Sequence, residues 1–265
     1  MAKQIKSKLN WLGEHLPEGL LVDAAWLEKN GYSTSLRSQY LTSGWLEQPA
    51  RQVYTRPIRS RGPLRWQQVV ISLQTILGHP LIVGGRTALE LQGYGHYLSV
   101  EDGSVHLYGR QPPPKWLSRL PLKVRFIYHN DDRLFRNDPV AKGLDSLMEP
   151  WGQWNWPLTL ATPERAILQL LDELPQRESF HQVDKIMEGL ANLRPLRLQK
   201  LLEDCRSVKV KRLFFFFADR HRHAWLRQID RKTVDLGSGN RLLVRGGRLD
   251  RVYGITVPED LDAVH

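Results

Sequence analysis

The first 57 residues constrain the fold more than any other part of the chain. Apolar residues at helical spacing predict a helix over 3–15, and "LLVDAAWLEKNGY" predicts a second one that ends at Asn30-Gly31. Ser33 is a suitable N-cap for a third helix over 34–43. After Gly44, "WLEQ" and "QVYTRP" are strand-like arms around a short turn at Pro49–Arg51. Three short helices followed by a two-stranded hairpin are typical of a winged helix-turn-helix.

The third predicted helix has a polar side that a core helix does not need. Leu36 and Tyr40, four residues apart, are expected to face inward. The residues expected on the outward side are Ser35, Ser38 and Thr42, flanked by Arg37 and Gln39. In a helix-turn-helix the polar side of this helix enters the major groove of DNA. The alternative is an ordinary helical subdomain whose polar side is merely solvated.

Particular side chains are expected to contact DNA if this interpretation holds. Arg37 is long enough to reach a guanine edge, and Gln39 can pair with an adenine. Arg51 and Arg56 occupy wing positions from which they would reach phosphates. The basic residues expected along one side of the first helix are Lys3, Lys6 and Lys8.

The charge of the chain favours a polyanionic partner. The 265 residues carry a formal net charge of +10, and residues 1–66 hold ten Lys/Arg against five Asp/Glu. Cys205 is the only cysteine, which excludes an intramolecular disulfide and a multi-cysteine zinc site. The basic opening segment has no continuous apolar run, and no later stretch approaches ~20 apolar residues. We therefore expect no signal peptide, no membrane span and a cytoplasmic location.

The remaining sequence predicts alternating helices and strands. A helix is expected over 66–77, and "PLIVGGRTALELQGY" predicts strand, Gly-Gly turn and helix. Strands are expected at 96–100, 104–108, 122–128, 240–245 and 251–257, the last two around a Gly-Gly turn. One helix is expected to begin with Thr162 as its cap and Pro163 as its first residue. Further helices are expected at 179–193, 195–205 and 208–221, and a buried strand is the alternative for 208–221. The predicted fold is mixed α/β in two domains, residues 1–95 and 96–265.

Two motifs suggest enzymatic or metal chemistry, and both are weak. "VGGRTALELQG" resembles the Gly-Gly turn that opens a nucleotidyltransferase site, which also needs paired carboxylates to hold metal ions. The next acids, Glu101 and Asp102, are adjacent, so on a strand they would point to opposite faces. His221 and His223 lie close together, but cations at a helix C-terminus explain them better. We expect no catalytic residue, no metal and no cofactor.

Two further segments have both a functional and a structural interpretation. "RSVKVKR" concentrates Arg206, Lys209, Lys211 and Arg212, which predicts a second basic surface or simply a solvated helix start. "EPWGQWNWP" groups Trp151, Trp154 and Trp156, which could stack on a base or a partner but more often cover the edge of a core.

The order of several motifs resembles a known family. They are "SLRSQYLTSGWLEQPARQVYTRP", "IVGGRTALELQGYGHYL", "TPERAILQLL", "LLEDCRSVKVKRLFFFFAD" and "VDLGSGNRLLVRGGRLDRVYGITVP". Together, over about residues 10–258, they resemble the AbiEi-type antitoxins of type IV toxin–antitoxin systems. The wing departs from the family pattern, because Arg51-Gln52 stands where a glycine is often found at the tip.

The resemblance implies a function as well as a fold. Members of that family bind inverted repeats in their own promoter through an N-terminal winged helix and so repress their operon, which implies a dimer on DNA. Their C-terminal domain counteracts a nucleotidyltransferase-like toxin, typically without a stable complex. The DNA-binding residues implied here are Ser33, Ser35, Arg37, Ser38, Gln39, Arg51 and Arg56. The alternatives are a nucleotide-acting enzyme and a protein-interaction module that binds no DNA.

Overall fold

The computed structural model describes residues 2–58, 62–95, 103–137 and 145–262, with only the backbone for 2–7. The strand predicted at 96–100, the pair Glu101–Asp102, and the side chains of Lys3 and Lys6 lie outside this description. Within it, no helix is both long enough and apolar enough to cross a membrane.

The N-terminal part is a winged helix. Its elements are α1 (Ala2–His15), β1 (Leu21–Asp23), α2 (Ala24–Lys29), α3 (Thr34–Thr42), β2 (Glu47–Ala50) and β3 (Val53–Thr55). The strands form an antiparallel sheet of order β1-β3-β2. The predicted first and third helices are confirmed, and so is the hairpin, although its turn lies at Arg51-Gln52. The wing β2–β3 therefore follows α3 directly, as in helix-turn-helix proteins that bind DNA.

Strand β1 was not expected, because the sequence predicted one continuous helix from Leu20. Leu21 and Val22 are fully buried and pair with Thr55 and Tyr54 of β3. A short apolar run of this kind fits a buried strand as well as a helix, so periodicity alone cannot distinguish them. Asp23 then ends the strand and caps α2, its Oδ1 accepting a hydrogen bond from the Trp26 amide at 2.8 Å.

A second sheet organises the rest of the chain. Its strands are β4 (Leu81–Val83), β5 (Ser104–Gly109), β6 (Arg125–Asn130), β7 (Ser146–Trp151) and β8 (Trp156–Ala161), in the order β6-β5-β4-β8-β7. The pairs β5–β6 and β4–β8 are parallel, and β4–β5 and β7–β8 are antiparallel. The predicted strand at 122–128 begins later, at Arg125. The tryptophan-rich segment forms the β7–β8 hairpin, which the sequence did not predict.

Helices pack around this sheet. They are α4 (Trp66–Ile71), α5 (Gly85–Leu91), α6 (Pro163–Asp172), α7 (Phe180–Gly189), α8 (Pro195–Asp204) and α9 (Val208–His221), and a π-helical turn, Ser72–Ile76, continues α4. The predicted helices at 66–77 and 195–205 are confirmed, and so is the one predicted at 179–193, although it ends at Gly189. The stretch 208–221 is a helix and not the alternative buried strand. Phe214, Phe215 and Phe217 of α9 are fully buried, which explains the apolar run of the sequence.

The predicted C-terminal hairpin exists, but its first strand and its turn were predicted at the wrong residues. The antiparallel strands are β9 (Arg248–Asp250) and β10 (Ile255–Val257), and 240–245 contributes only a bridge from Arg241 to Ile255. The Thr256 hydroxyl accepts hydrogen bonds from the amides of Leu243 and Val244 at 2.8 and 2.9 Å. This side chain takes the place of the backbone hydrogen bonds that a strand over 240–245 would make. A Cβ at Gly247 would lie 2.4 Å from the Val257 carbonyl oxygen, so this glycine allows the close approach.

Buried hydrogen bonds join the winged helix to α4 and to the π-helical turn that continues it. The Leu21 amide donates to the Ser72 hydroxyl at 2.8 Å, and the side-chain amide of Gln68 donates to the Gly19 carbonyl at 3.0 Å. Strand β4 belongs by sequence to the range 1–95 but lies in the middle of the second sheet. The division into 1–95 and 96–265 stays a prediction.

Candidate nucleic-acid interface

The outward face of α3 is polar but uncharged. Ser35, Ser38 and Gln39 are exposed, whereas Tyr40 is buried and Leu36 partly buried, as the spacing predicted. Ser33 is the N-cap, and its hydroxyl accepts a hydrogen bond from the Leu36 amide at 3.3 Å. Hydroxyl and amide side chains on such a face can both donate to and accept from base edges.

The expectation that Arg37 faces outward is wrong. Its side chain is 7% exposed, and its guanidinium donates to the carbonyls of Ala24 and Tyr32 at 3.1 and 3.2 Å and to the Thr34 hydroxyl at 2.9 Å. Arg37 is three residues before Tyr40, so both lie on the inward stripe of the helix. That spacing could have identified Arg37 as an inward residue. The Arg37 side chain holds α3 against α2, and its guanidinium does not reach a base.

Of the two arginines predicted to contact DNA from the wing, Arg51 is exposed and Arg56 is held by other groups of the protein. Arg51 is exposed at the tip, next to Gln52, whose backbone φ is +67°. Arg56 instead donates to the Gly13 and Leu16 carbonyls at 3.0 and 2.9 Å, and it lies 3.6 Å from Glu18. Cations near a helix C-terminus are favourable, which explains this arrangement. The prediction that Arg56 reaches phosphate from the wing is therefore corrected: its side chain fastens the end of α1 to the residue after β3.

One aromatic residue at this face was missed by sequence analysis. Trp45 follows α3 and precedes β2, and it is 52% exposed. An exposed tryptophan between a candidate reading helix and a wing has an apolar body and a polar N–H. The turn residues around it, Ser43 and Gly44, gave the only signal, because they end α3 and leave Trp45 outside the helix. Lys8, in contrast, donates to the Gly31 carbonyl and lies 5.4 Å from the centre of the Tyr32 ring.

The predicted second basic surface does not exist as a surface. Lys211 and Arg212 are 2% and 5% exposed, because α9 buries the side on which they lie. The Arg212 guanidinium donates to the carbonyls of Leu236 and Gly239 at 2.7 and 2.6 Å. Lys209 donates to the Asp172 and Leu174 carbonyls, and Arg206 is exposed, with its Nε 3.4 Å from the Phe135 carbonyl.

The other candidate side chains have partners within the protein. His221 Nε2 is 2.7 Å from Asp184, and His223 Nε2 is 2.8 Å from the Met187 carbonyl. Burial raises the pKa of the Cys205 thiol to about 11, so the thiol is protonated at neutral pH. In the tryptophan group, the rings of Trp151 and Trp156 are 6.1 Å apart. Trp154 is 57% exposed at the hairpin turn.

The Gly-Gly turn is packed against side chains from elsewhere in the fold. A Cβ on Gly84 would lie 2.3 Å from Gln169 Oε1, and one on Gly85 would lie 2.8 Å from the Tyr108 hydroxyl. The Gly85 amide donates to Gln169 Oε1 at 3.0 Å, and its φ of +53° favours glycine. Tyr108 and Gln169 occupy the space above the turn, so these glycines serve core packing.

Beside this turn lies a buried polar cluster that sequence analysis missed. His106 and Tyr108 are two residues apart on β5, and His129 of β6 pairs with Tyr108, so all three side chains share one face. His106 Nδ1 is 2.9 Å from His129 Nε2, and His129 Nδ1 is 3.0 Å from Glu173. No local pattern signals this cluster, because its members are far apart in sequence.

Burial sets the charges in this cluster. Burial, together with the adjacent His129, lowers the pKa of His106 to about 4, so this imidazole is neutral at neutral pH. Burial alone would raise the pKa of Glu173. Hydrogen bonds and charge from His129 and Arg177 outweigh that effect, and the pKa lies below its ordinary value. At neutral pH Glu173 is thus ionised and His106 is neutral.

Comparison with known proteins identifies the family. A profile described as "Transcriptional regulator, AbiEi antitoxin N-terminal domain" matches residues 5–100. A second, "Transcriptional regulator, AbiEi antitoxin, Type IV TA system", matches residues 102–258. No curated protein matches the sequence.

A solved structure shares the fold. The crystal structure of the RV2827C protein from Mycobacterium tuberculosis superposes with a TM-score of 0.57 over 93% of this chain and 88% of that one, at 17% identity. The winged helix, the mixed α/β second part and the two profile matches agree over almost the whole length. The chain belongs to the AbiEi antitoxin family of transcriptional regulators of type IV toxin–antitoxin systems.

Proposed function

We propose that this protein binds its own promoter through α3 and the wing and so represses its operon. The observation that carries the proposal is the exposed face of α3, formed by Ser35, Ser38 and Gln39, beside the exposed Arg51 of the wing. The first three offer hydrogen bonds to base edges, and the fourth offers a positive charge to phosphate. The membership of the chain in a family of transcriptional regulators supports the same function.

Sequence preference would come from uncharged side chains. Because Arg37 is buried, a guanidinium on α3 cannot read guanine, and Gln39 becomes the longest outward side chain of the helix. Gln pairs bidentately with adenine. Two copies on an inverted repeat would place their α3 helices in successive major grooves, about 34 Å apart.

We further propose that the protein counteracts a nucleotidyltransferase-like toxin without forming a stable complex with it. The support for this is the family, whose members are antitoxins of type IV systems. The packed Gly-Gly turn gives no support to a nucleotide-acting enzyme, because side chains occupy the space above it.

The promoter proposal is tested by DNA binding across a salt series. The purified chain is titrated against duplex DNA from its own upstream region and against a scrambled duplex of equal length. Tighter binding to the upstream duplex at about 150 mM salt supports specific repression. Equal binding to both duplexes, falling steeply with salt, would reject it and leave only a non-specific electrostatic attraction.

Gln39→Ala should weaken binding to the upstream duplex by about tenfold and leave binding to the scrambled duplex unchanged. The reason is that the variant cannot form a base-edge hydrogen-bond pair worth about 1–3 kcal/mol. Fluorescence anisotropy measures the affinity for each duplex, and hence the ratio of the two affinities. Gln228→Ala, which removes an exposed glutamine far along the chain, is the matched control and should change neither affinity. Equal affinity of Gln39→Ala and the wild type would remove Gln39 from the reading face.

Arg51→Ala should weaken binding to both duplexes alike, because phosphate contacts carry no sequence information. The slope of log K against log [salt] should become shallower by about 0.9, since one phosphate is no longer neutralised. Arg227→Ala removes an exposed arginine outside the winged helix and should leave the slope unchanged. A salt slope unaltered by Arg51→Ala would show that the wing tip does not reach the DNA backbone.

A further inference from the structure

We propose that His106, His129 and Glu173 form a binding site for a divalent transition-metal ion of the zinc class. The site lies on the second sheet and does not rest on the DNA-binding proposal. It is the one group among the described residues in which three such side chains each offer a ligand atom within 4.8 Å of the others.

The spacing of the two imidazoles is close to that of metal ligands. His106 Nδ1 and His129 Nε2 are 2.9 Å apart, and their rings are nearly parallel, with 9° between the planes. In a tetrahedral site with Zn–N bonds of about 2.0–2.1 Å, two ligand nitrogens lie about 3.3 Å apart. A separation of a few tenths of an ångström would therefore admit an ion between them.

The donor set selects the class of ion. Two imidazole nitrogens and one carboxylate oxygen are the protein ligands of open zinc sites, in which water completes the coordination. Magnesium and calcium prefer oxygen ligands throughout, so a site with two nitrogens disfavours them. His106 and Glu173 are both buried, and the side chain of His129 is 10% exposed, so the donor set is largely shielded from solvent.

A second observation shows that the hydrogen bonding of the cluster is incomplete. The Tyr108 ring stacks on His129, with ring centres 4.4 Å apart, and its hydroxyl is buried without a hydrogen-bond partner among the described residues. Buried hydroxyls in folded proteins are nearly always paired. Among the described residues, no group satisfies this hydroxyl.

The test measures metal binding to the full chain without an affinity tag. The protein is stripped with a chelator, and ZnCl₂ is added in a calorimeter at about pH 7.5, where neutral imidazoles are available. One equivalent should bind, and zinc at about 100 times its Kd should raise the Tm by about 5 °C. Replacing Zn²⁺ by Co²⁺ should give the visible absorption of a tetrahedral cobalt site with nitrogen ligands.

Substitutions locate the site. His106→Asn and His129→Asn should each weaken zinc binding at least tenfold, and Glu173→Gln, which keeps the shape of the side chain, should weaken it in the same direction. His181→Asn is the matched control, because His181 is a half-exposed histidine beside a carboxylate, 3.6 Å from Asp260. Its zinc binding should equal that of the wild type.

The outcomes separate a metal site from a pair of core histidines. No stoichiometric zinc binding by the wild type, or no tetrahedral cobalt spectrum, would overturn the proposal. Binding that survives in the His106 and His129 variants but falls in His181→Asn would also overturn it and place zinc on the surface. If the histidine variants do not fold, the wild-type cobalt spectrum and Glu173→Gln decide the question.

Discussion

Arg165→Ala is expected to lower the free energy of unfolding by about 3–5 kcal/mol, because breaking a buried ion pair leaves one charge uncompensated. Arg165 is fully buried in α6, and its Nη2 donates to Asp131 Oδ2 at 2.7 Å. The guanidinium also lies 4.1 Å from the centre of the Phe135 ring. Its removal would leave the Asp131 carboxylate with a weak donor, Gln169, at 3.4 Å.

Urea unfolding followed by circular dichroism measures this destabilisation. The control is Arg177→Ala, which breaks the hydrogen bond of a 57% exposed arginine to Glu173. Because the Arg177 end of this pair is open to solvent and Glu173 keeps His129 as a partner, the control should lose much less stability than Arg165→Ala. The double variant Arg165→Met/Asp131→Asn removes both charges and should recover much of the stability. Equal destabilisation by Arg165→Ala and Arg177→Ala would contradict the interpretation.

Arg165 also shows how polar residues organise this core. It lies on the same side of the second sheet as the His106 cluster, since Asp131 follows β6 two residues after His129. Its Nε and Nη1 have no hydrogen-bond partner among the described residues. Helix α6 and the residue that follows it therefore send two charged residues, Arg165 and Glu173, and one uncharged polar residue, Gln169, toward one sheet face. The sheet and α6 are held together by these contacts as well as by apolar packing.

Local signals in the sequence were sufficient for the winged helix. Ser33 as a cap, the Leu36–Tyr40 spacing and the hairpin arms depend on neighbours within a few residues, and the structure confirms them. The strand β1 was missed because its pairing with β3 joins residues far apart in the chain. The orientation of Arg37 and Arg56 was misjudged for a related reason. Positive charge was taken as a sign of exposure, whereas both guanidiniums bind backbone carbonyls.

The second part of the chain was less predictable from local signals. Single helices such as α9 follow from their apolar period, but the sheet order β6-β5-β4-β8-β7 depends on crossings that periodicity does not encode. The pair His106 and His129 is brought together only by the parallel register of β5 and β6. Proximity in sequence instead pointed to His221 and His223, which have separate partners in the structure.

Arg37→Ala is expected to destabilise the winged helix by about 2–3 kcal/mol, because hydrogen bonds from a buried charged group are worth about 1.5–3 kcal/mol and its carbonyl acceptors would be left without this donor. Those acceptors are Ala24, the first residue of α2, and Tyr32, in the α2–α3 turn, so the position of α3 against α2 depends on them. Thermal unfolding should show a lowered Tm. DNA affinity per folded molecule, measured well below that Tm, should fall much less than it does for Gln39→Ala.

This comparison decides how α3 reads DNA. Substituting a base-reading arginine would abolish specific binding with little change in Tm, and Arg37→Lys would partly restore the contact to guanine. A positioning arginine gives the opposite pattern, with Tm lowered in both Arg37→Ala and Arg37→Lys, because a lysine cannot reproduce the fork that reaches two carbonyls and a hydroxyl. An unchanged Tm together with an abolished operator preference would return Arg37 to the reading face.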